Sequence, residues 1–235
     1  MSKYLIANWK CNKGIEEAQR WFDAFAKRYR PVEGLTVIVA PSFISLPSLS
    51  HTIKTLGLEN VSLAAQDISP FPKGSYTGAV AADMVKYFAD YVILGHWERR
   101  IYFHETEDDV ARKMSEAIDA GLIPIICVDQ PYAAFQVLPL NTIDSKEMIV
   151  AYGPMDATTS RVPEPPIKAA EIARSLSGIL HGKSAVYGGS LAPENVKGYI
   201  EIPELAGLFI GQASLDVDSF LDIYEQMAKA VNNNK

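Results

Sequence analysis

Cysteine is scarce in this chain. Cys11 and Cys127 are the only two among 235 residues, and they lie far apart without the paired spacing of a metal site. A disulfide framework and a zinc centre are therefore not expected, and both thiols are expected to be buried. Long apolar runs are missing as well. No stretch approaches the ~20 residues that span a bilayer, and the apolar part of MSKYLIANWKCNK is too short for a secretory signal. A cytoplasmic protein without a membrane partner is the expectation. Nor is there an excess of basic residues, since 22 Lys+Arg stand against 28 Asp+Glu for a net charge of -6. Without a basic stripe to neutralise phosphates, nucleic acid is not an expected partner. Hydrophobic residues make up 48% and charged residues 21%, an ordinary globular composition. No inter-domain linker interrupts it, so residues 1–235 read as a single domain.

What is present is an alternation of two periods. Short runs rich in Val, Ile, Leu and Ala recur at Tyr4–Ala7, Leu35–Ala40, Val61–Ala65, Tyr91–Leu94, Ile123–Cys127, Met148–Tyr152, Ser184–Tyr187 and Leu205–Ile210. They read as strands buried on both faces, as in a parallel sheet. Between them, apolar residues follow helical spacing: Ala18, Trp21, Phe22, Phe25 and Tyr29; Val110, Met114, Ala117 and Ile118; Ile167, Ala170, Ile172 and Ala173; Phe220, Tyr224, Met227 and Val231. Thr106 or Glu105 marks one helix start, Pro193 and Glu194 a second, and Asp216 a third. Eight strand–helix units in 235 residues average about 29 residues, close to the roughly 30 of a βαβ unit. This predicts a (β/α)8 barrel of class α/β. Gln130–Ser145 (QPYAAFQVLPLNTIDS) carries Pro131 and Pro139 and has little helical pattern, so the fifth helical unit is expected to be trimmed.

In such a barrel the chemistry sits just beyond the strands. The residues there are Asn8, Trp9 and Lys10 after the first run, Gly95-His96-Trp97-Glu98-Arg99-Arg100 after the fourth, Gly188-Gly189-Ser190 after the seventh and Gly211-Gln212-Ala213-Ser214 after the eighth. Glycines on two neighbouring strand ends leave backbone N–H groups free to face an anion, and a helix opening near Pro193 would add its positive end. A phosphate site is expected. Arg99 and Arg100 read as ion-pairing groups, and His51, His104 and His181 as residues away from the site.

Ala7-Asn8-Trp9-Lys10, Ile93–Arg100, Tyr187–Ser190 with Pro193-Glu194-Asn195, and Gly207–Leu215 resemble, in order, the motifs of the triosephosphate isomerase family. Gln66 and Tyr76-Thr77-Gly78 resemble its third loop. The resemblance implies a TIM barrel, a homodimer, a phosphorylated small-molecule ligand, and neither metal nor cofactor. It further implies a carboxylate base, a neutral histidine that polarises the carbonyl, and a lid that excludes water. Carried over residue by residue, Asn8 and Lys10 would contact substrate, His96 would be the polarising histidine, and Glu98 would pair ionically behind them. The amides of Gly189, Ser190, Gly211 and Gln212 would hold the phosphate.

Four places depart from the pattern. The family's catalytic glutamate, before a proline after strand six, is matched by Gly153 in Tyr152-Gly153-Pro154. Its Gly-His-Ser-Glu is matched by Gly95-His96-Trp97-Glu98, and the lid reads Thr158-Thr159-Ser160-Arg161. Ala79 also stands where a glutamate is common. Losing a positioned base typically forfeits about 10²–10⁴ in rate. One reading follows in which native isomerisation is lost and the site has been rebuilt, by divergence or engineering. In it, Trp97 lines a pocket for proton-transfer or lysine chemistry on a small phosphorylated or aromatic ligand. Its candidate groups are His96, Lys10, and Asp156 or Asp129. A second reading keeps the isomerase active through a surrogate base, with Asp156 nearest in sequence. A third is a non-catalytic phosphate-binding protein. Trp97 as packing in the space left by Gly153 stands beside all three.

Overall fold

The computed structural model describes residues 3–130, 132–137, 148–179 and 185–233. Its strands are β1 (Lys3–Asn8), β2 (Leu35–Ala40), β3 (Val61–Ala65), β4 (Tyr91–Leu94), β5 (Ile123–Val128), β6 (Ile149–Tyr152), β7 (Ala185–Tyr187) and β8 (Leu205–Ile210). They pair in chain order, each pair parallel, and β8 returns to β1 to close the barrel. The helices are α1 (Ile15–Arg28), α2 (Leu46–Leu56), α3 (Ala82–Val85), α4 (Trp97–Tyr102), α5 (Glu107–Ala120), α6 (Ala133–Val137), α7 (Met155–Ser160), α8 (Pro166–Ile179), α9 (Lys197–Ile200) and α10 (Val217–Asn233). This is the (β/α)8 architecture that the alternation of periods predicts.

The strands are apolar on both faces because each face has its own core. Ile6, Ile38, Ile93, Ile125, Cys127, Ile149 and Ala151 belong to a cluster inside the barrel. Their neighbours Leu5, Val37, Val92, Ile126 and Val150 pack outward beneath the helices. With a side-chain period of two, the residue after each inward pair is carried towards the cavity mouth. Trp9, which leaves β1, turns outward in step with Leu5 and Ala7. Its ring meets Trp21 with centroids 5.1 Å apart and is fully buried, so it is a core residue that anchors α1.

Helix starts follow the capping signals in two cases. Thr106 Oγ1 accepts the Asp109 N–H while the Asp109 carboxylate accepts from Thr106, a reciprocal cap for α5. Asp216 Oδ1 accepts the Ser219 N–H ahead of α10. Glu105, the alternative start, is instead buried against Lys113. The expected helix opening at Pro193 is absent. Asn195 Oδ1 accepts the Ala192 N–H and its Nδ2 donates to Ser190 O, closing a turn over Pro193 and Glu194. Only the four residues of α9 are helical beyond it, too few for a dipole of consequence. In α8 the buried face is Ala169, Ala173 and Leu176, whereas Ile167 is exposed. Small residues pack closest to the barrel there, and the larger Ile167 is left outside. Cys11 is exposed rather than buried, since it follows the turn out of β1, whereas Cys127 is buried.

The fifth unit contains the short α6, and residues 138–147, with Pro139, lie outside the described residues, as do Pro131, His181, Ser184 and the last two residues. Among the described residues, no helix is long and apolar enough to cross a membrane. A buried ionic cluster ties the segments following β3 and β4 to α5. Lys113 pairs with Asp67 at 2.7 Å and with Glu105, and Arg99 reaches Asp67 at 2.8 Å and Glu105 at 3.2 Å.

Candidate active site

A cavity of about 610 Å³ opens at the carboxyl ends of the strands, and Lys10, His96, Trp97, Gly153, Ser190, Gly211 and Gln212 line it. Asn8, Glu98, Gly189 and Asp156 do not.

Lys10 leaves β1 with φ 54, a left-handed conformation that a lysine adopts only when neighbours hold it. Asn8 Oδ1 accepts the Lys10 N–H at 3.0 Å. Gln66 Nε2 donates to Lys10 O at 2.8 Å and to Ala40 O at 2.9 Å. Buried Asn8 is thus occupied in fixing the loop. The Lys10 ammonium donates to Glu98 Oε1 at 2.6 Å and lies 5.7 Å from the centre of the Trp97 ring. The Lys10 side chain is thus held between the Glu98 carboxylate and the Trp97 ring.

Gly95 holds His96 at the end of β4. Its φ is +69, and a Cβ there would stand 2.6 Å from Arg100 Nη2, so the tucked guanidinium demands glycine. Arg100 Nε donates to Gly95 O at 2.7 Å, and the same side chain pairs with Glu107. His96 caps α4, its Nδ1 accepting the Glu98 N–H at 3.3 Å. Burial, then the positive charges of Lys10, Arg100 and Arg99, push its pKa down to about 3. The ring is therefore neutral at pH 7 with its proton on Nε2. It is a hydrogen-bond donor rather than the base near neutral pH that its residue type suggests.

Beyond β6, Gly153 donates its N–H to Val128 O at 3.0 Å. Its φ is not in the left-handed region, and a Cβ would meet only Gly188 O, at 3.2 Å. Neither backbone conformation nor lack of room imposes glycine, and no atom of Trp97 comes within 4 Å of that Cβ position. Trp97 consequently does not fill the space immediately beside Gly153. It packs instead towards Tyr102 and His96, with ring centroids 6.1 and 6.0 Å away.

The opposite side of the cavity is rich in backbone groups, with Lys10 and Arg161 as its cations and Glu194 as an acidic neighbour. Ser190 has φ 50, and its Oγ donates to Ala157 O at 2.8 Å, tying this loop to α7. Gly189 lies behind the lining, packed against the Tyr187 hydroxyl. Ser214 Oγ donates to Gly211 O at 2.7 Å, which shapes the loop after β8. The Lys10 Cε lies 3.8 Å from the position a Gly211 Cβ would take, so the lysine crosses towards this corner. Arg161, at the left-handed end of α7, also lines the cavity.

Asp156 points elsewhere. Residues 155–160 form a helix, α7, that buries Ala157 and leaves Asp156 exposed on its outer side. The segment after α7 is held by Glu164, which accepts the Tyr152 hydroxyl at 2.7 Å and the Tyr199 hydroxyl at its carbonyl, and donates its N–H to Tyr187 at 2.9 Å. Asp129, at the end of β5, does line the cavity and is only 8% exposed. Its signal in the sequence is the inward alternation Ile125, Cys127, Asp129. Arg161, Thr158 and Phe209 complete parts of the wall that strand-end reading misses, because α7 is helical and Phe209 lies within β8. No group of three or more His, Cys, Asp or Glu among the described residues could hold a metal.

Residues 3–227 match the family model for triosephosphate isomerase. A triosephosphate isomerase of Citrifermentans bemidjiense is 35% identical over 249 residues, covering 95% of this chain and 98% of that protein. Those of Thermodesulfovibrio yellowstonii and Mycoplasmopsis pulmonis are 33% and 32% identical, with 94% and 93% of this chain and 98% and 95% of those proteins covered. With a closed parallel barrel, a neutral histidine after β4 and a paired lysine after β1, the chain belongs to the triosephosphate isomerase family.

Proposed function

We propose that the cavity binds a small phosphorylated carbonyl compound and that isomerisation of triose phosphates has been lost from this chain. In this reading Gly153 stands where the family has its catalytic glutamate, and Trp97 where it has the neighbouring serine. One observation carries it: beside a neutral His96 and a charge-paired Lys10, Gly153 contributes no side chain to the cavity. The anion would sit against Ser190, Gly211 and Gln212, within the field of Lys10 and Arg161. His96 Nε2–H would donate to the carbonyl oxygen. Trp97 and Phe209 offer aromatic surface to the rest of the ligand. The reaction class is proton transfer, because Lys10 Nζ is engaged by Glu98 Oε1 rather than left free for a carbonyl.

A surrogate base at Asp156 is not supported, since that carboxylate is exposed on α7. A homodimer is also proposed, with the third loop at its interface. Ile68 is buried within its own chain, whereas Phe71 and Tyr76 stack on each other at 4.6 Å and remain exposed. Light scattering tests this.

Calorimetric titration with dihydroxyacetone phosphate and with inorganic phosphate tests the binding reading. Both are expected to bind, and Lys10→Met is expected to weaken each by at least about tenfold, the worth of a charge-assisted hydrogen bond. Absence of binding by either would contradict it.

A further inference from the structure

We propose that Asp129 is the proton-transfer group of this site, acting on a phosphorylated carbonyl compound whose bulk passes over Gly153. The inference rests on the reading of the cavity as a phosphorylated-carbonyl site.

Three observations converge on this residue. The first is register. Cys127 pairs with Ala151 and Val128 with Tyr152, so Asp129 and Gly153 come next on neighbouring strands. Because Ile125, Cys127, Ile149 and Ala151 all face the barrel interior, both residues are directed to the cavity. The second is position. β5 lies between β4, which His96 follows by two residues, and β6, which Gly153 follows directly. Asp129, His96 and Gly153 all line the one cavity, so a carboxylate on β5 shares it with the polarising imidazole. The third is fixation. The Asp129 N–H donates to Gln136 Oε1 at 2.9 Å, and Gln136 Nε2 donates back to Asp129 Oδ1 at 3.3 Å. This reciprocal clamp from α6 orients the carboxylate. Burial also raises its pKa, in the direction that general acid–base work near neutrality requires.

The step balances without an added reagent. An Asp129 oxygen takes a proton from the carbon next to the carbonyl, and that C–H electron pair becomes the C=C bond of an enediolate. Negative charge moves to the former carbonyl oxygen, where His96 Nε2–H donates to it. The proton then returns from Asp129 to carbon. Relative to a base on β6, the reacting carbon must lie nearer β5. That displacement leaves the space over Gly153 for a substituent larger than a triose carries, and it brings one carbon of a triose within reach of Asp129 rather than two.

Deuterium uptake into dihydroxyacetone phosphate in D₂O, followed by proton NMR, tests the assignment because it reads proton abstraction even without net isomerisation. The unmodified protein is expected to incorporate deuterium at the hydroxymethyl carbon. Asp129→Asn should slow the exchange by about 100-fold or more, Asp129→Glu should retain part of it, and Asp129→Asn should bind inorganic phosphate in calorimetry no more weakly than the unmodified protein. If Asp129→Asn exchanges at the unmodified rate, or the unmodified protein binds dihydroxyacetone phosphate without exchange, the assignment is overturned and the binding site stands. If neither dihydroxyacetone phosphate nor phosphate binds, the reading of the cavity fails and the assignment falls with it.

Discussion

Asp129 and Gly153 hold matching places on neighbouring strands, each one residue beyond the Val128–Tyr152 pair. One carries a buried carboxylate and the other nothing, and both face the same cavity. The Gly153 N–H bonded to Val128 O at 3.0 Å fixes their relative height. The Asp129 carboxylate thus stands on the β5 side of the cavity mouth, and Gly153 leaves the β6 side without a side chain.

His96 should make the fold sensitive to acid. Its folded pKa of about 3 lies below the ordinary 6.5, so between those limits the unfolded chain binds the extra proton. Stability from keeping the ring neutral is fully present above pH 6.5 and is lost as pH falls towards 3. Urea denaturation at several pH values should show the unmodified protein losing about 1.4 kcal/mol more per pH unit than His96→Asn inside that window. Parallel pH curves for the two proteins would show that the imidazole is not held neutral.

Lys113 is buried with Asp67 and Glu105. Lys113→Met leaves two carboxylates without their ammonium, and Asp67, whose pKa burial already raises, has only Arg99 to offset it. The expected loss is about 3–5 kcal/mol in urea denaturation, the cost of breaking a buried pair from one side. A loss below about 1 kcal/mol, typical of surface pairs, would mean that water reaches the cluster.

Trp97 provides an optical report of the cavity. Trp9 and Trp21 are 0% and 4% exposed in the core, whereas Trp97 lines the site. Titration with dihydroxyacetone phosphate should change the intrinsic fluorescence of the unmodified protein, and Trp97→Phe should abolish most of that change. An undiminished change in the variant would place the ligand elsewhere.

Much of this architecture is legible in the residues themselves. A barrel strand is covered inside and out, so runs such as Leu35–Ala40 carry no polar face, and their number suggests closure. Thr106 and Asp216 mark helix starts because their side chains bond the N–H groups that the first turn leaves free. Pro193 carries a similar signal, yet Asn195 draws the chain into a turn through two side-chain bonds, a tertiary choice that proline alone does not reveal. At the site, Lys10 and His96 follow from strand ends, whereas Gly153 draws notice only through the family resemblance. The outward face of Asp156 depends on α7 being a helix, which Ala157-Thr158-Thr159-Ser160 does not announce, since β-branched residues and serine are weak helix formers. The reverse holds for Asp129, whose inward direction is already written in the alternation of β5, although its burial and its clamp by Gln136 emerge only once α6 is in place.

We attribute the proposed loss of triose phosphate isomerisation to Gly153, which supplies no base. A coupled assay of dihydroxyacetone phosphate isomerisation tests it, comparing the unmodified protein with Gly153→Glu and with Gly153→Glu plus Trp97→Ser. The Gly188 carbonyl, 3.2 Å from the new Cβ, needs to give by only a few tenths of an ångström. The expected result is conversion by the double variant at least about 100-fold faster than by the unmodified protein, the worth of a positioned base. Unmodified protein that isomerises as fast as the double variant would contradict the claim.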